Sequence, residues 1–163
     1  MGKSIPVTIC AGFIGSHLVE QLLARGEVVF GIDNFDPFYA RAMKERNLAN
    51  AMAHPRFGFQ EADICDRDAL QSLPFKPDAV IQLAAKAGVR PSMENPSAHV
   101  QTNIQGTLNL LDWMKGMGVW KMIFASSSSV YGNHQRTPFR EDDAPDFPVL
   151  LYAFTKRARE LKN

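Results

Sequence analysis

The chain has 163 residues, 45% of them hydrophobic, with 18 basic and 17 acidic residues and a formal net charge of +1. This size suffices for one domain with its own core. The balanced charge gives no reason to expect a nucleic acid or an anionic membrane as partner. No apolar run reaches the roughly 18–20 residues of a membrane span, and residues 1–7 show no signal peptide, so we expect a cytoplasmic protein. Cys10 and Cys65 lack metal-ligand spacing and predict two unlinked thiols and no metal.

Short apolar runs alternate with helical patterns along the chain. We predict strands at residues 5–9, 28–33, 57–61, 79–83 and 121–125. The helical periods predict a first helix that ends at Gly26, then helices at about 38–53, 66–73 and 97–117, and a last one from Tyr152. Residues 132–148 are expected to form a loop. This alternation predicts an α/β fold, a doubly wound, Rossmann-like parallel sheet of about five strands, with ligands at the carboxyl ends of the strands.

The turn after the first strand carries Gly12, Phe13, Ile14 and Gly15. Gly12 would let the backbone approach a pyrophosphate, and Gly15 would let the helix pack closely on the sheet. The helix N-terminus offers N–H groups to the anion. Asp33 ends the second strand, where a carboxylate can accept hydrogen bonds from both ribose hydroxyls and repels a 2′-phosphate, which favours NAD over NADP. The alternative is a turn that only closes a βα unit.

Two further patterns lie in the last third of the chain. The serine run 126–129 directly follows the fifth predicted strand and could supply hydroxyl donors to a ligand oxygen, although such runs are usually solvated turns. Tyr152 and Lys156 share a helix face, and an ammonium beside a phenol favours the phenolate, a general base. Taken alone, the second pattern is more often a core Tyr with an exposed Lys.

Together these patterns carry a family resemblance. The sequence resembles an extended short-chain dehydrogenase/reductase of the NAD-dependent epimerase/dehydratase group, of the UDP-glucuronate or UDP-glucose 4-epimerase type. The matching stretches are AGFIGSHLVEQLLARG, GIDNFDPFYARAMKERNLA, EADICD, LAAKAGVRPSMENP, TNIQGTLNLL, FASSSSVYG and YAFTK. They stand in family order and cover nearly the whole chain, so residues 1–163 are interpreted as one NAD-binding domain.

The resemblance implies NAD as cofactor and assigns a role to each matching position. The expected catalytic residues are Ser127, Tyr152 and Lys156, and the sugar is expected to face Arg90, Ser127 and Ser128. The expected cofactor-binding residues are Gly12, Phe13, Ile14, Gly15, Asp33, Asn34, Asp63, Ile64, Leu83, Ala84, Ala85, Asn103, Tyr152 and Lys156. The implied reaction oxidises C4 of a UDP-sugar transiently and returns the hydride to the other face of the sugar ring.

A homodimer is also expected. The family pairs the long helix and the Tyr152 helix with their copies in a second subunit. The long helix also has a second apolar line, Leu110, Trp113 and Met117, beside the stripe that we assign to the sheet, namely Val100, Ile104, Leu108 and Leu111. The fifth strand is expected to leave an open edge next to Met122 and Phe124.

The sequence departs from the family pattern in several places. Ile9 and Cys10 replace two glycines of the opening loop, Leu150-Leu151 replaces a Ser-Pro, and Gln82 replaces a His. If the turn needs a positive φ at position 9, the β-branched residue is strained by about 1–3 kcal/mol. Family members are roughly twice as long, with a substrate domain that is absent here. Two hypotheses follow: the cofactor half of an epimerase, or a folded, inactive Rossmann fragment that at most binds nucleotides weakly or acts as an interaction module.

Overall fold

Strands and helices alternate through the computed structural model, which describes residues 2–134, 137–143 and 148–160. The strands are β1 (Ser4–Thr8), β2 (Val28–Asp33), β3 (Phe57–Glu61), β4 (Val80–Gln82) and β5 (Met122–Phe124). The α-helices are α1 (Phe13–Ala24), α2 (Arg41–Met52), α3 (Arg67–Gln71), α4 (Val89–Glu94), α5 (Pro96–His99), α6 (Gly106–Gly116) and α7 (Leu151–Glu160). A π-helical segment (Val100–Gln105) joins α5 to α6, and a 3₁₀ turn (Ser128–Tyr131) follows β5.

The five strands form one parallel sheet in the order β3-β2-β1-β4-β5. The reversal of strand order beside β1 is the doubly wound arrangement, so the predicted fold class is confirmed. The predicted bounds of β2 and β3 are confirmed as well, whereas β4 and β5 are one residue shorter at each end. β5 lies at the edge of the sheet, as expected, but Met122 and Phe124 are half-buried, and Ile123 between them is 63% exposed.

The chain divides into two compact units. The first comprises the residues up to Ala84 with Asn109–Ala125, and the second comprises Ala85–Leu108 with the residues from Ser126 onward. The first unit contains the sheet, and the side chains of β2 point alternately to its two faces. Val29 packs in one core cluster with side chains of α1 and α2, and Ile32 packs in another with side chains of α3 and α6. The sheet is therefore covered on both faces, as its apolar strands require.

The two predicted apolar lines of the long helix are only partly confirmed: Leu111, expected to face the sheet, packs against the second core cluster, but other members do not follow the prediction. Leu110 and Trp113, expected to be uncovered, are 0% and 4% exposed and pack in the second core cluster, whereas Val100, expected to face the sheet, is 41% exposed. The π-helical segment explains the difference. Its i→i+5 hydrogen bonds place about one residue more in each turn, so a stripe counted at helical spacing does not continue through it. No helix among the described residues is long and apolar enough to cross a membrane.

Candidate functional site

The turn after β1 contains the strain predicted from the sequence. Ile9 has φ of +54°, a conformation that costs a β-branched residue about 1–3 kcal/mol. The Gly12 N–H donates to the Ile9 carbonyl over 3.2 Å and closes the turn, and Gly12 then precedes the first residue of α1. The backbone thus runs directly from a tight turn into a helix N-terminus, which is the geometry that binds phosphate groups.

Gly15 and Gly12 of this turn lie close to different atoms of Ile9. A Cβ on Gly15 would lie 2.1 Å from the Ile9 carbonyl oxygen, so only glycine fits where α1 crosses the end of β1. A Cβ on Gly12 would lie 3.1 Å from Cγ2 of Ile9, so the Ile9 side chain lies beside Gly12. Phe13 and Ile14, in the first turn of α1, are 71% and 69% exposed and do not belong to either core cluster.

Cys10 faces the core and not the outer surface of the turn. Its side chain is fully buried, and a Cβ on Gly31 of β2 would lie 2.6 Å from its sulfur, so the thiol fills the space above that glycine. Burial, reinforced by the charge of Asp33, raises the pKa of the Cys10 thiol. Of the two residues expected to disturb the loop, Ile9 has a strained backbone and Cys10 is well packed.

Asp33 lies beside the turn, as predicted, and is buried. Its Oδ2 accepts the Ala11 N–H at 3.0 Å, and its Oδ1 accepts the Phe35 N–H at 2.8 Å and the Lys44 ammonium at 3.2 Å. A carboxylate has about four acceptor positions. Three described donors occupy three of these positions and the side chain has no exposed surface, so Asp33 here anchors the Ala11 and Phe35 backbone and Lys44, and its role toward the ribose stays a prediction.

Lys44 is a residue that the sequence reasoning missed. It is buried although charged, and its ion pair with Asp33 is screened from solvent on both sides. A signal was present in the sequence: Lys44, Leu48 and Ala51 share one buried face of α2. A lysine on the apolar face of a helix needs a buried partner.

Asn34, expected at the ribose, follows β2, and Asp63 and Ile64, expected at the adenine, follow β3. The Asn34 side-chain amide donates to Oδ2 of Asp63 at 2.8 Å, and the Cys65 N–H donates to Oδ1 of Asp63 at 2.7 Å. Ile64 is buried, and its carbonyl accepts from the Asn109 side chain at 3.2 Å. The structure thus places a predicted ribose residue, Asn34, next to a predicted adenine residue, Asp63.

The backbone after β4 is held by Thr8 at the end of β1. The Leu83 and Ala84 N–H groups donate to Oγ1 of Thr8 at 3.0 and 2.9 Å. The Thr8 hydroxyl donates in turn to the side chain of Gln82, whose amide donates to the Ala84 carbonyl at 3.3 Å. Gln82 thus replaces the family's His inside a satisfied hydrogen-bond network.

In the second unit, Asn103 joins two segments of the predicted site. Its Oδ1 accepts the Lys86 N–H at 2.7 Å, and its amide donates to the Lys86 carbonyl at 3.2 Å and to Oγ1 of Thr155 at 3.0 Å. The half-buried Ala85 precedes this clamp, and Arg90 is exposed on α4. Asn103 therefore fixes the backbone beside Ala85 to α7, one residue before Lys156.

Tyr152 and Lys156 share one face of α7, as their spacing predicts. The Lys156 ammonium lies 5.8 Å from the centre of the Tyr152 ring. Burial, followed by the charge of Arg159, lowers the pKa of Lys156 to about 8. Arg159, which sequence reasoning missed, is itself buried, and burial lowers its pKa to about 10. Two buried cations thus accompany the phenol on this helix.

The serine run after β5 starts a 3₁₀ turn that packs against α7. Oγ of Ser127 accepts the Ser129 N–H at 3.2 Å and caps the turn, while Ser128 is exposed. The Ser126 hydroxyl donates to Glu160 of α7. No cluster of three His, Cys, Asp or Glu side chains suited to a metal occurs within the described ranges.

The sequence profile of the GDP-mannose 4,6 dehydratase family matches residues 7–161. The chain belongs to this family. It is 45% identical over 157 residues to the UDP-glucuronate 4-epimerase of Thermodesulfobacterium geofontis, which covers 95% of this chain and 48% of the relative. It is 42% identical over 163 residues to UDP-glucuronate 4-epimerase 4 of Arabidopsis thaliana, covering 98% of this chain and 37% of the relative. The recognition of an epimerase/dehydratase is confirmed.

Solved structures of this family agree with the fold. The UDP-glucuronic acid 4-epimerase of Bacillus cereus, in complex with UDP-glucuronic acid and NAD, superposes with a TM-score of 0.87 at 38% identity, covering 96% of this chain and 50% of that one. The UDP-glucose 4-epimerase of Stenotrophomonas maltophila, with bound NAD, superposes with a TM-score of 0.86 at 32% identity. The match covers 97% of this chain and 46% of that one. The chain spans about half the length of the first curated relatives it matches.

Proposed function

We propose that this member of the family is the cofactor-binding half of an NAD-dependent UDP-sugar 4-epimerase of the UDP-glucuronate or UDP-glucose type, with residues 1–163 as its NAD-binding domain. The observation that carries the proposal is the pair Tyr152 and Lys156 on α7, where a buried cation lies 5.8 Å from the phenol ring. The relatives named as UDP-glucuronate 4-epimerases, at 42–45% identity, support the substrate class.

The first unit offers residues that fit NAD. Gly12 and the start of α1 provide N–H groups and a positive dipole end for the pyrophosphate. Asp33 and Asn34 are assigned to the adenosine ribose, for which the buried Asp33 carboxylate must become accessible, and Asp63 and Ile64 are assigned to the adenine. When bound, NAD supplies the chemistry that takes and returns a hydride at C4 of the sugar.

The second unit offers residues for the proton transfer. Tyr152 as phenolate takes the proton of the C4 hydroxyl, and the Lys156 cation favours that phenolate electrostatically. The Ser127 hydroxyl donates a hydrogen bond to the sugar oxygen as its charge develops. Ser128 and Arg90 are exposed and offer a further hydroxyl and a cation for the sugar and its uronate group.

One observation favours a second candidate function, a folded Rossmann module without catalysis that binds NAD weakly. Ile9 replaces a glycine at φ of +54°, and its side chain lies beside Gly12.

A cytoplasmic homodimer is part of the proposal. The second apolar line no longer supports it, because Leu110 and Trp113 are buried within their own unit. Its support is the family resemblance, together with Phe154 of α7, which is 50% exposed. Light scattering over a range of concentrations checks it: a protein that remains monomeric at high micromolar concentration contradicts the dimer.

The test of the proposed function is cofactor retention followed by half-reaction chemistry. We expect that denaturing the purified chain releases NAD and that mass spectrometry detects it. Adding UDP-glucuronate or UDP-glucose then produces the absorbance of reduced nicotinamide with the preferred sugar. Tyr152→Phe abolishes that signal, whereas the control Tyr131→Phe, a change on the 3₁₀ turn, retains it. Retained NAD without any reduction by either sugar supports the inactive module, and no NAD binding overturns both functions.

A further inference from the structure

Helix α2 reaches the turn after β1 at two points. Lys44 bonds the Asp33 carboxylate, which accepts the Ala11 N–H, and the Asn47 side-chain amide donates to the Ala11 carbonyl at 3.0 Å. Lys44 and Asn47 are three residues apart and therefore lie on one helix face. Both polar groups of Ala11 are thus held from α2, one through a carboxylate and the other directly.

These contacts act next to the strained residue of the turn. Ala11 is fully buried and lies two residues after Ile9, whose φ is +54°. Strained backbone persists only where the surrounding structure over-determines it. A glycine at position 9 would adopt this φ without cost, whereas the isoleucine needs its neighbours to be fixed.

We propose that Lys44 and Asn47 are positioning residues of the dinucleotide loop. They hold Ala11, and with it the Ile9 turn, in the conformation that directs the start of α1 toward a phosphate. The inference rests on the proposed function only where it names NAD as the ligand of the loop; the bracing itself is independent of cofactor.

The same helix provides a matched control. Asn50 lies one turn beyond Asn47 and also bonds across to a neighbouring element, since its amide donates to Glu20 of α1 at 3.1 Å. It does not bond the loop. Asn50→Ala removes an asparagine from α2 and a hydrogen bond between elements, as Asn47→Ala does, so a difference between the two variants reports on the loop.

Cys10 serves as a local reporter, because it precedes Ala11 and is fully buried. In a Cys65→Ser background it is the remaining thiol, since the chain has 2 cysteines. Its labelling by a disulfide reagent without denaturant follows opening of the loop. We expect Asn47→Ala to label about tenfold faster than its parent, from the loss of one part-buried hydrogen bond. Asn50→Ala, which loses an exposed hydrogen bond, should label like the parent.

A double-mutant cycle links the bracing to the strained residue. In an Ile9→Gly background the acceleration by Asn47→Ala should shrink to about twofold or less. Lys44→Arg, which keeps the cation, should label like the parent, and Lys44→Met should label faster. If Lys44→Met does not fold, the asparagine pair decides alone. Equal labelling of Asn47→Ala and Asn50→Ala, or an acceleration unchanged by Ile9→Gly, overturns the inference. Failure of the proposed function is distinct from this, because it shows as absent NAD binding by the parent.

Discussion

Position 9 allows the strain in the loop to be measured directly. Ile9→Ala removes the half-buried side chain but keeps a Cβ at φ of +54°, whereas Ile9→Gly removes both. Loss of the side chain costs about 1 kcal/mol in either variant, roughly half the value of a fully buried isoleucine. Relief of the left-handed conformation returns about 1–2 kcal/mol to the glycine variant alone. Its extra freedom in the unfolded chain subtracts about 0.5–1 kcal/mol.

These contributions predict an unusual order of stability. Ile9→Gly should be more stable than Ile9→Ala by about 0.5–1 kcal/mol, the reverse of their order at an ordinary φ. The assay is urea denaturation followed by the fluorescence of the buried Trp113. Calorimetric titration with NAD adds a second comparison. Affinity that improves in both variants identifies the side chain as the obstacle, and improvement in glycine alone identifies the strain. An alanine variant at least as stable as the glycine variant refutes the reasoning.

Two further predictions use burial. Gly15→Ala should destabilise the fold by more than about 2 kcal/mol, because its Cβ would lie 2.1 Å from a backbone oxygen. The control Gly116→Ala, whose Cβ would have nothing within 4 Å, should be neutral or stabilising in the same urea titration. Burial lowers the pKa of Lys156 from 10.5 to about 8. Between these pH values the unfolded chain binds more protons than the folded one, so the free energy of unfolding rises with pH, by at most about 3 kcal/mol. Lys156→Met should remove this rise, and a difference between parent and variant that stays constant from pH 7 to 10.5 would contradict it.

The sheet could be predicted from the sequence because its signals are local. The apolar runs at Val28–Asp33 and Phe57–Glu61 are bounded by turn residues, and the structure reproduces both sets of bounds. The faces of the long helix could not be predicted, because a π-helical segment leaves no mark in the hydrophobic pattern. Counting at a constant period therefore places Leu110 and Val100 on the wrong sides of the helix. The short α4 was missed because six residues carry too little periodicity.

In the candidate site, too, some residues could be predicted from the sequence and others could not. The positions of Gly15, Asp33 and the Tyr152–Lys156 pair follow from motifs whose spacing is fixed along the chain. Lys44 and Asn47 were missed because their partners lie 11 and 36 residues away, and only the folded chain brings them together.

The packing of Cys10 against Gly31 couples the turn after β1 to the neighbouring strand β2. The thiol fills the space that a side chain on Gly31 would need, since a Cβ there would lie 2.6 Å from the sulfur. Restoring glycine at position 10 alone would therefore leave a small void between the loop and β2, and enlarging position 31 alone would create a clash. A Cβ at position 31 would also lie 2.8 Å from Cζ of Phe57, so glycine at position 10 would not make room for a larger residue at position 31. The Cys10 sulfur thus adds core volume that the glycine form of the loop lacks, and a change in the cofactor loop acts on the strand beneath it.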